Sequence, residues 1–123
     1  MKHLQEALAV RRAVLGDDYV DRALADDSAG AADFQEFTTS AAWSLWTRPG
    51  LGRRDRSLLT LAVTAAMGRM DEFELHLGGA RRNGVTDSEI DEIVMHIGGY
   101  AGVPAAVAAR RVVRAERGRV SEG

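Results

Sequence analysis

LLTLAVTAAMGRMDEFELHLGGARRNG, residues 58–84, is the stretch from which both the fold and the chemistry are read. Residues 58–67 are apolar at nearly every position, so a helix built from them is expected to be covered on all sides. The polarity then changes abruptly, and Glu72, Glu74 and His76 follow close together. A covered helix excludes water, and carboxylate and imidazole neighbours shift one another's pKa, so this junction is the first candidate for a reactive pocket.

Outward from it, helical patterns succeed one another in both directions. Upstream, residues 2–15 carry Leu4, Leu8, Val14 and Leu15 among charges and close at Gly16, a residue suited to the left-handed conformation of a helix end. Asp17 and Asp18 can cap a short helix to about Leu24, and a Gly- and Asp-containing loop follows. Asp33 opens a segment with Phe34, Phe37, Ala41 and Leu45 at three- and four-residue spacing, and Trp43 and Trp46 at its end read as core together with the nearby Phe residues. Thr47-Arg48-Pro49-Gly50 is a turn. The next helix is expected over 53–70, and Asp71 with Glu74 has the form of a capping box for another, ending at Asn83-Gly84.

Thr86 with Glu89 repeats the capping-box pattern ahead of an apolar stripe through Ile90, Ile93, Val94, Ile97 and Ala101. Pro104 opens a last helix to about residue 117, and residues 118–123 read as a frayed tail. No strand, internal repeat or low-complexity tract is found, so the fold class is all-α.

The chain has 123 residues, which suits a single domain spanning 1–123 with a small core. Its net charge of −2 and the lack of helix-turn-helix spacing argue against nucleic acid, although Arg is locally dense at Arg48, Arg53, Arg54, Arg56, Arg81 and Arg82. Cysteine is absent, which removes thiol chemistry and Cys-ligated metals. With no apolar leader and no window of membrane-spanning length, the expected location is cytoplasmic.

Several residues are candidates for chemistry, each with a plainer reading beside it. Glu72 and His76 are four apart, so Glu72 can orient the ring and keep a proton available near neutral pH; the same pair also occurs on solvated faces. His96, with Glu92 and Tyr100 four residues either side, borders an apolar stripe and equally suits a structural histidine. The arginines of TRPGLGRRDR, namely Arg48, Arg53, Arg54 and Arg56, have the forks that grip carboxylates bidentately, or else solubilise a helix start with Asp55 as partner. His3, His76 and His96 are too far apart for a metal motif, and no HxxxH, P-loop, GxGxxG or GxSxG is present. No metal and no cofactor is expected.

Taken in order, RRAVLGDDYVDRAL, FQEF, WTRPGLGRRDRSLLTLA, DEFELHL, ARRNGVT and HIGGYAGVPAA resemble the carboxymuconolactone decarboxylase family over almost the whole chain. The resemblance implies an alkylhydroperoxidase D-like helical bundle, homo-oligomeric as a hexamer or trimer. It also implies a cofactor-free conversion of 4-carboxymuconolactone to 3-oxoadipate enol-lactone, in the protocatechuate branch of the 3-oxoadipate pathway. A different small carboxylic acid, or a non-catalytic helical oligomer, is the alternative.

In the implied scheme His76, held by Glu72, serves the developing enolate or protonates carbon, and His96 beside Tyr100 is the second donor. The four arginines hold the carboxylate that stays. A redox branch of the same superfamily has cysteines where this chain has Met70 and Phe73, so its chemistry does not transfer, and Ser57 stands where that branch has an acid. The decarboxylase pattern reads HLR where this chain reads His76-Leu77-Gly78. Arg81 or Arg82 must therefore take over, or the substrate differs.

Overall fold

The computed structural model describes residues 2–122, with side chains from 3 to 121. Among the described residues every regular element is a helix and there is no strand, as the patterning predicts. The chain divides into two compact units, Met1–Arg53 and Arg54–Gly123.

The first unit contains α1 (Lys2–Leu15), α2 (Asp17–Leu24) and α3 (Ala31–Thr38), the last continuing into a wide π-type turn over Thr39–Trp43 and a tight 3-10 turn over Leu45–Thr47. Gly16 breaks α1 from α2 with φ +90° and ψ 147°, an extended positive-φ conformation that favours glycine rather than the left-handed helical one expected of it. Helix α1 packs on α2 and on both turns. Trp43 and Trp46 are buried, with ring centroids 5.3 Å apart.

The Phe residues behave otherwise. Phe34 and Phe37 are 61% and 66% exposed, and the buried line runs instead through Ala31, Thr39, Trp43 and Trp46. Three- and four-residue spacing fits both stripes, and periodicity alone cannot tell a face turned to the chain's own core from one left for a partner.

The second unit contains α4 (Arg53–Ala66, whose first residue closes the first unit), α5 (Met70–Arg82), α6 (Asp87–Tyr100) and α7 (Val103–Glu122). Its core gathers Leu61 and Ala65 of α4, Phe73 and Leu77 of α5, Ile90 and Ile97 of α6, and Ala109 and Val113 of α7. Helix α4 stops short of residue 70. Gly68 takes φ +73° and Arg69 N–H returns to Thr64 O at 2.8 Å, a left-handed closure that ends the helix.

Helix α5 therefore starts at Met70, and the Asp71/Glu74 capping box does not form, because Arg69 occupies the capping position and no side chain caps it. Asp71 and Glu72 instead fall in the first turn, where the helix dipole favours acids. The second box does form: Glu89 N–H donates to Thr86 Oγ1 at 3.2 Å and Thr86 N–H to Glu89 Oε1 at 2.9 Å.

Helix α7 continues past residue 117 to Glu122 rather than fraying, and Gly123 lies outside the described residues. Arg117 pairs with Asp87 and Asp91 at 2.9 Å each, and Arg119 with Glu74 at 3.1 Å, which secures these last turns.

One expectation for residues 58–67 is corrected. Leu61 and Ala65 are fully buried, but Leu59, Val63 and Met67 are 52%, 54% and 64% exposed. Spaced by four, they make one apolar stripe along α4 on the side away from its own core. The chain itself leaves that side to solvent.

Candidate active site

Helix α5 positions His76. Phe73, Leu77 and Ala80, at neighbouring positions of the helix, are fully buried, and His76 shares that inward side at 8% exposure. Burial pushes the imidazole from the usual 6.5 down to about 4. At neutral pH His76 is therefore a neutral ring, which corrects the expectation of a proton held ready near pH 7: desolvation penalises the imidazolium. A neutral imidazole still offers one N–H as a hydrogen-bond donor and one nitrogen as acceptor.

The shift has a consequence for stability. Because the folded pKa lies below the unfolded one, the unfolded chain binds the proton more readily between the two. The contribution of neutral His76 is complete above about pH 6.5 and is lost as pH falls through about 4. Urea unfolding is expected to show a loss of as much as ~3 kcal/mol over that window, and His76→Gln is expected to flatten it. An unchanged acid limb in the variant assigns the loss to other groups.

The remaining candidates lie in varied settings. Glu72 is exposed at the start of α5, beside a shallow cleft formed by residues 68–72. His96 is exposed on α6 and stacks on Tyr100 at 4.9 Å between centroids, with Tyr100 87% exposed. One histidine is thus sunk in the core and the other lies on the surface of its helix. Neither lines the clefts found around Leu4, Val94, Phe37 or Gly68.

The arginines divide in the same way. Arg48 and Arg53 are exposed in the first unit. In the second, Arg56 is 8% exposed on α4. Arg54 is bound to Glu89, the same carboxylate that caps α6, so it fastens α4 to α6.

The two arginines expected to replace a side chain at Gly78 also part company. Arg81 grips Glu116 through Nε and Nη2 at 2.9 and 2.8 Å and reaches Asp87 at 2.8 Å. Its pKa is raised by the Glu116 hydrogen bond first of all. Arg82 folds back one turn, so that its Nη1 lies 3.4 Å from where a Gly78 Cβ would stand. The Arg82 guanidinium thus packs against Gly78.

Sequence reasoning missed one polar contact. Asn83 Nδ2 donates to Ser57 Oγ at 2.9 Å, tying the end of α5 to α4 one residue after Arg56, and Ser57 is fully buried. A Ser among apolar residues and an Asn before Gly84 carry no spacing signal, since the two are 26 residues apart. Among the described residues no three His, Asp or Glu side chains gather as a metal-ligand set, and no helix is long and apolar enough to cross a membrane.

A family model described as the carboxymuconolactone decarboxylase family matches residues 32–115. The 4-carboxymuconolactone decarboxylase of Acinetobacter baylyi is 45% identical over 106 residues, covering 85% of this chain and 79% of the relative. The nitrosuccinic acid decarboxylase of Metarhizium robertsii is 42% identical over 110 residues, covering 89% of this chain and 77% of the relative.

Proposed function

The chain belongs to the carboxymuconolactone decarboxylase family, and on that premise we propose that it is a carboxy-lyase converting 4-carboxymuconolactone to 3-oxoadipate enol-lactone in the cytoplasm. The observation that carries this reading is the similarity, over most of both chains, to a relative named for that substrate.

The chemistry needs little from the protein. The departing carboxylate sits on the ring carbon γ to an unsaturated lactone carbonyl. As CO2 leaves, its bonding pair moves through the ring double bond to the carbonyl oxygen, and one proton then adds to the carbon next to that carbonyl. The substrate is its own electron sink, so no cofactor is required of the protein.

What remains is a cation for the retained carboxylate, a dry surface for the departing one and a donor to the enolate oxygen. His76 supplies the donor as a neutral imidazole, a form that polarises an oxyanion without first having to be protonated. Glu72 and the His96–Tyr100 pair complete the site from exposed positions. Arg54, Arg56 and Arg82, in the same unit as His76, are the cations for the retained carboxylate.

The test is CO2 release from the lactone by the purified chain, with each of those three arginines replaced in turn. The expected result is turnover in the wild type and, for the true clamp, a KM raised at least as much as kcat is lowered. Absence of turnover in the folded protein sinks the substrate assignment, and unchanged kinetics in all three variants removes the clamp.

The relative named for nitrosuccinic acid favours a second reading. In nitrosuccinate, as in the lactone, one carbon carries a carboxylate, a carboxymethyl arm and an electron sink, there a nitro group. Turnover of nitrosuccinate but not of the lactone by this chain selects that reading.

Assembly belongs to the same proposal: an alkylhydroperoxidase D-like bundle acting as one domain and associating with further copies. Leu59, Val63 and Met67, apolar, aligned and over half exposed, form the contact. Sedimentation is expected to give a hexamer or trimer that Val63→Glu dissociates; a monomeric wild type overturns the assembly.

A further inference from the structure

Residues 25–47 hold Asp26, Asp27, Asp33 and Glu36 and no Lys or Arg, whereas residues 93–115 hold Arg110, Arg111 and Arg114 and no Asp or Glu. The arginines of α7 divide along the same line. Arg117 and Arg119 are engaged by Asp87, Asp91 and Glu74. Earlier on the helix, Arg110, Arg111 and Arg114 are exposed, and among the described residues no carboxylate pairs with any of them. Glu116, the next acid of α7, is held by Arg81, and Glu92, the last acid of α6, does not line the groove in which the three arginines lie.

That groove, of about 410 Å³, runs between α6 and α7. Besides the arginines its walls are apolar, Val94 and Met95 from α6 and Ala106 and Val107 from α7, with Met95 and Val107 69% and 50% exposed. Arg110, Arg111 and Arg114 follow Val107 at three-, four- and seven-residue spacing, so the cations continue the side of α7 that bears the apolar wall. Helix α3 presents the opposite combination. Its exposed Phe34 and Phe37 have ring centroids 6.5 Å apart, and Asp33, Glu36 and Ser40 line a shallow cleft together with Phe37. Both acids are exposed, and among the described residues neither has an ion pair.

We infer that the groove between α6 and α7 receives helix α3 of a second copy of this chain, with Phe34 and Phe37 on its apolar wall and Asp33 and Glu36 against Arg110, Arg111 and Arg114. A helix laid with its apolar side chains in a groove is a recurrent mode of recognition, and a phenyl face beside arginines also receives a guanidinium. Burial of the two rings supplies the affinity. Exposed ion pairs add little to it, and their part is to select the partner and fix its register. The surfaces that meet are unlike, so each added copy leaves one of each kind free and association continues until a ring closes. The contact rests on the association of copies proposed above, and it is separate from the Leu59, Val63 and Met67 stripe, which lies on α4.

Sedimentation of the intact chain tests the charges. Asp33→Arg/Glu36→Arg and Arg110→Glu/Arg114→Glu are each expected to weaken association by at least about tenfold, and the chain carrying all four changes, whose net charge equals that of the wild type, is expected to recover it. Phe34→Ser/Phe37→Ser, which changes no charge, is expected to weaken it too. All these side chains are exposed, so the helical circular dichroism is expected to stay the same. Because the chain has no cysteine, Ser40→Cys/Arg111→Cys treated with a short bismaleimide reports the contact directly. Linked trimers or longer species are expected on a denaturing gel, and only linked dimers from a mixture of the two single variants. A monomeric wild type overturns association as such, and this contact with it. An oligomer indifferent to both charge reversals, a link confined to single chains, or no link at all overturns this contact alone.

Discussion

Replacing His76 with alanine is expected to lower kcat on the lactone by about 10²–10³-fold, the usual cost of removing one donor to a developing oxyanion, with the helical circular dichroism retained. His76→Gln separates two ways in which the ring can act. A glutamine offers a neutral N–H but no titratable nitrogen, so it is expected to recover part of the rate if the imidazole works as a neutral donor. If proton transfer is the ring's task, Gln and Ala are equally poor.

The depressed pKa favours the first outcome, because a ring that titrates near 4 is almost wholly neutral at pH 7. The pH profile gives a second readout: kcat limited by this group is flat from about pH 6 upward and falls only on approach to 4. Near wild-type turnover in His76→Ala takes the role away from His76 altogether.

The largest effect on stability is expected at Glu116. Its carboxylate is 6% exposed by residue and receives two hydrogen bonds from Arg81, joining α5 to α7. Glu116→Ala leaves Arg81, itself only 24% exposed at its side chain, with Asp87 alone. Removing one partner of a buried pair typically costs more than the pair contributes, so a loss of about 3 kcal/mol is expected. In a chain of this size that corresponds to a fall in Tm of roughly 10 °C.

The double replacement Arg81→Met/Glu116→Leu is expected to restore most of the loss, since it buries no uncompensated charge. A single variant within 1 kcal/mol of wild type shows that Asp87 holds Arg81 unaided. The same pair commits Arg81 to the bundle, while Arg82 Nη1 lies 3.4 Å from where a Gly78 Cβ would stand.

Local chemistry was legible in the linear chain. The Thr86/Glu89 box, the break at Gly16, the helices α1, α2 and α6 and the absence of strands among the described residues depend on residues within a few positions of one another, so spacing suffices to predict them. The order of the quoted motifs was enough to indicate the family. Where two local patterns competed, spacing could not decide. Asp71/Glu74 had the form of a cap, but the left-handed Gly68 set the start of α5 one residue before Asp71.

Facing, burial and charge state were settled only by folding. His76 and His96 look alike in sequence, yet one is desolvated to a pKa near 4 and the other is stacked in the open on Tyr100. Arg54, Arg81 and Arg82 look interchangeable, yet Glu89, Glu116 and the space over Gly78 give each a different setting. The run over 58–67 was apolar enough to be covered all round, but covering needs neighbours, and within the chain only the side bearing Leu61 and Ala65 meets the core. Helical period sets which side chains share a face of a helix. What that face meets depends on residues tens of positions away, and that decides whether an ionisable group keeps its charge, its partner or its proton.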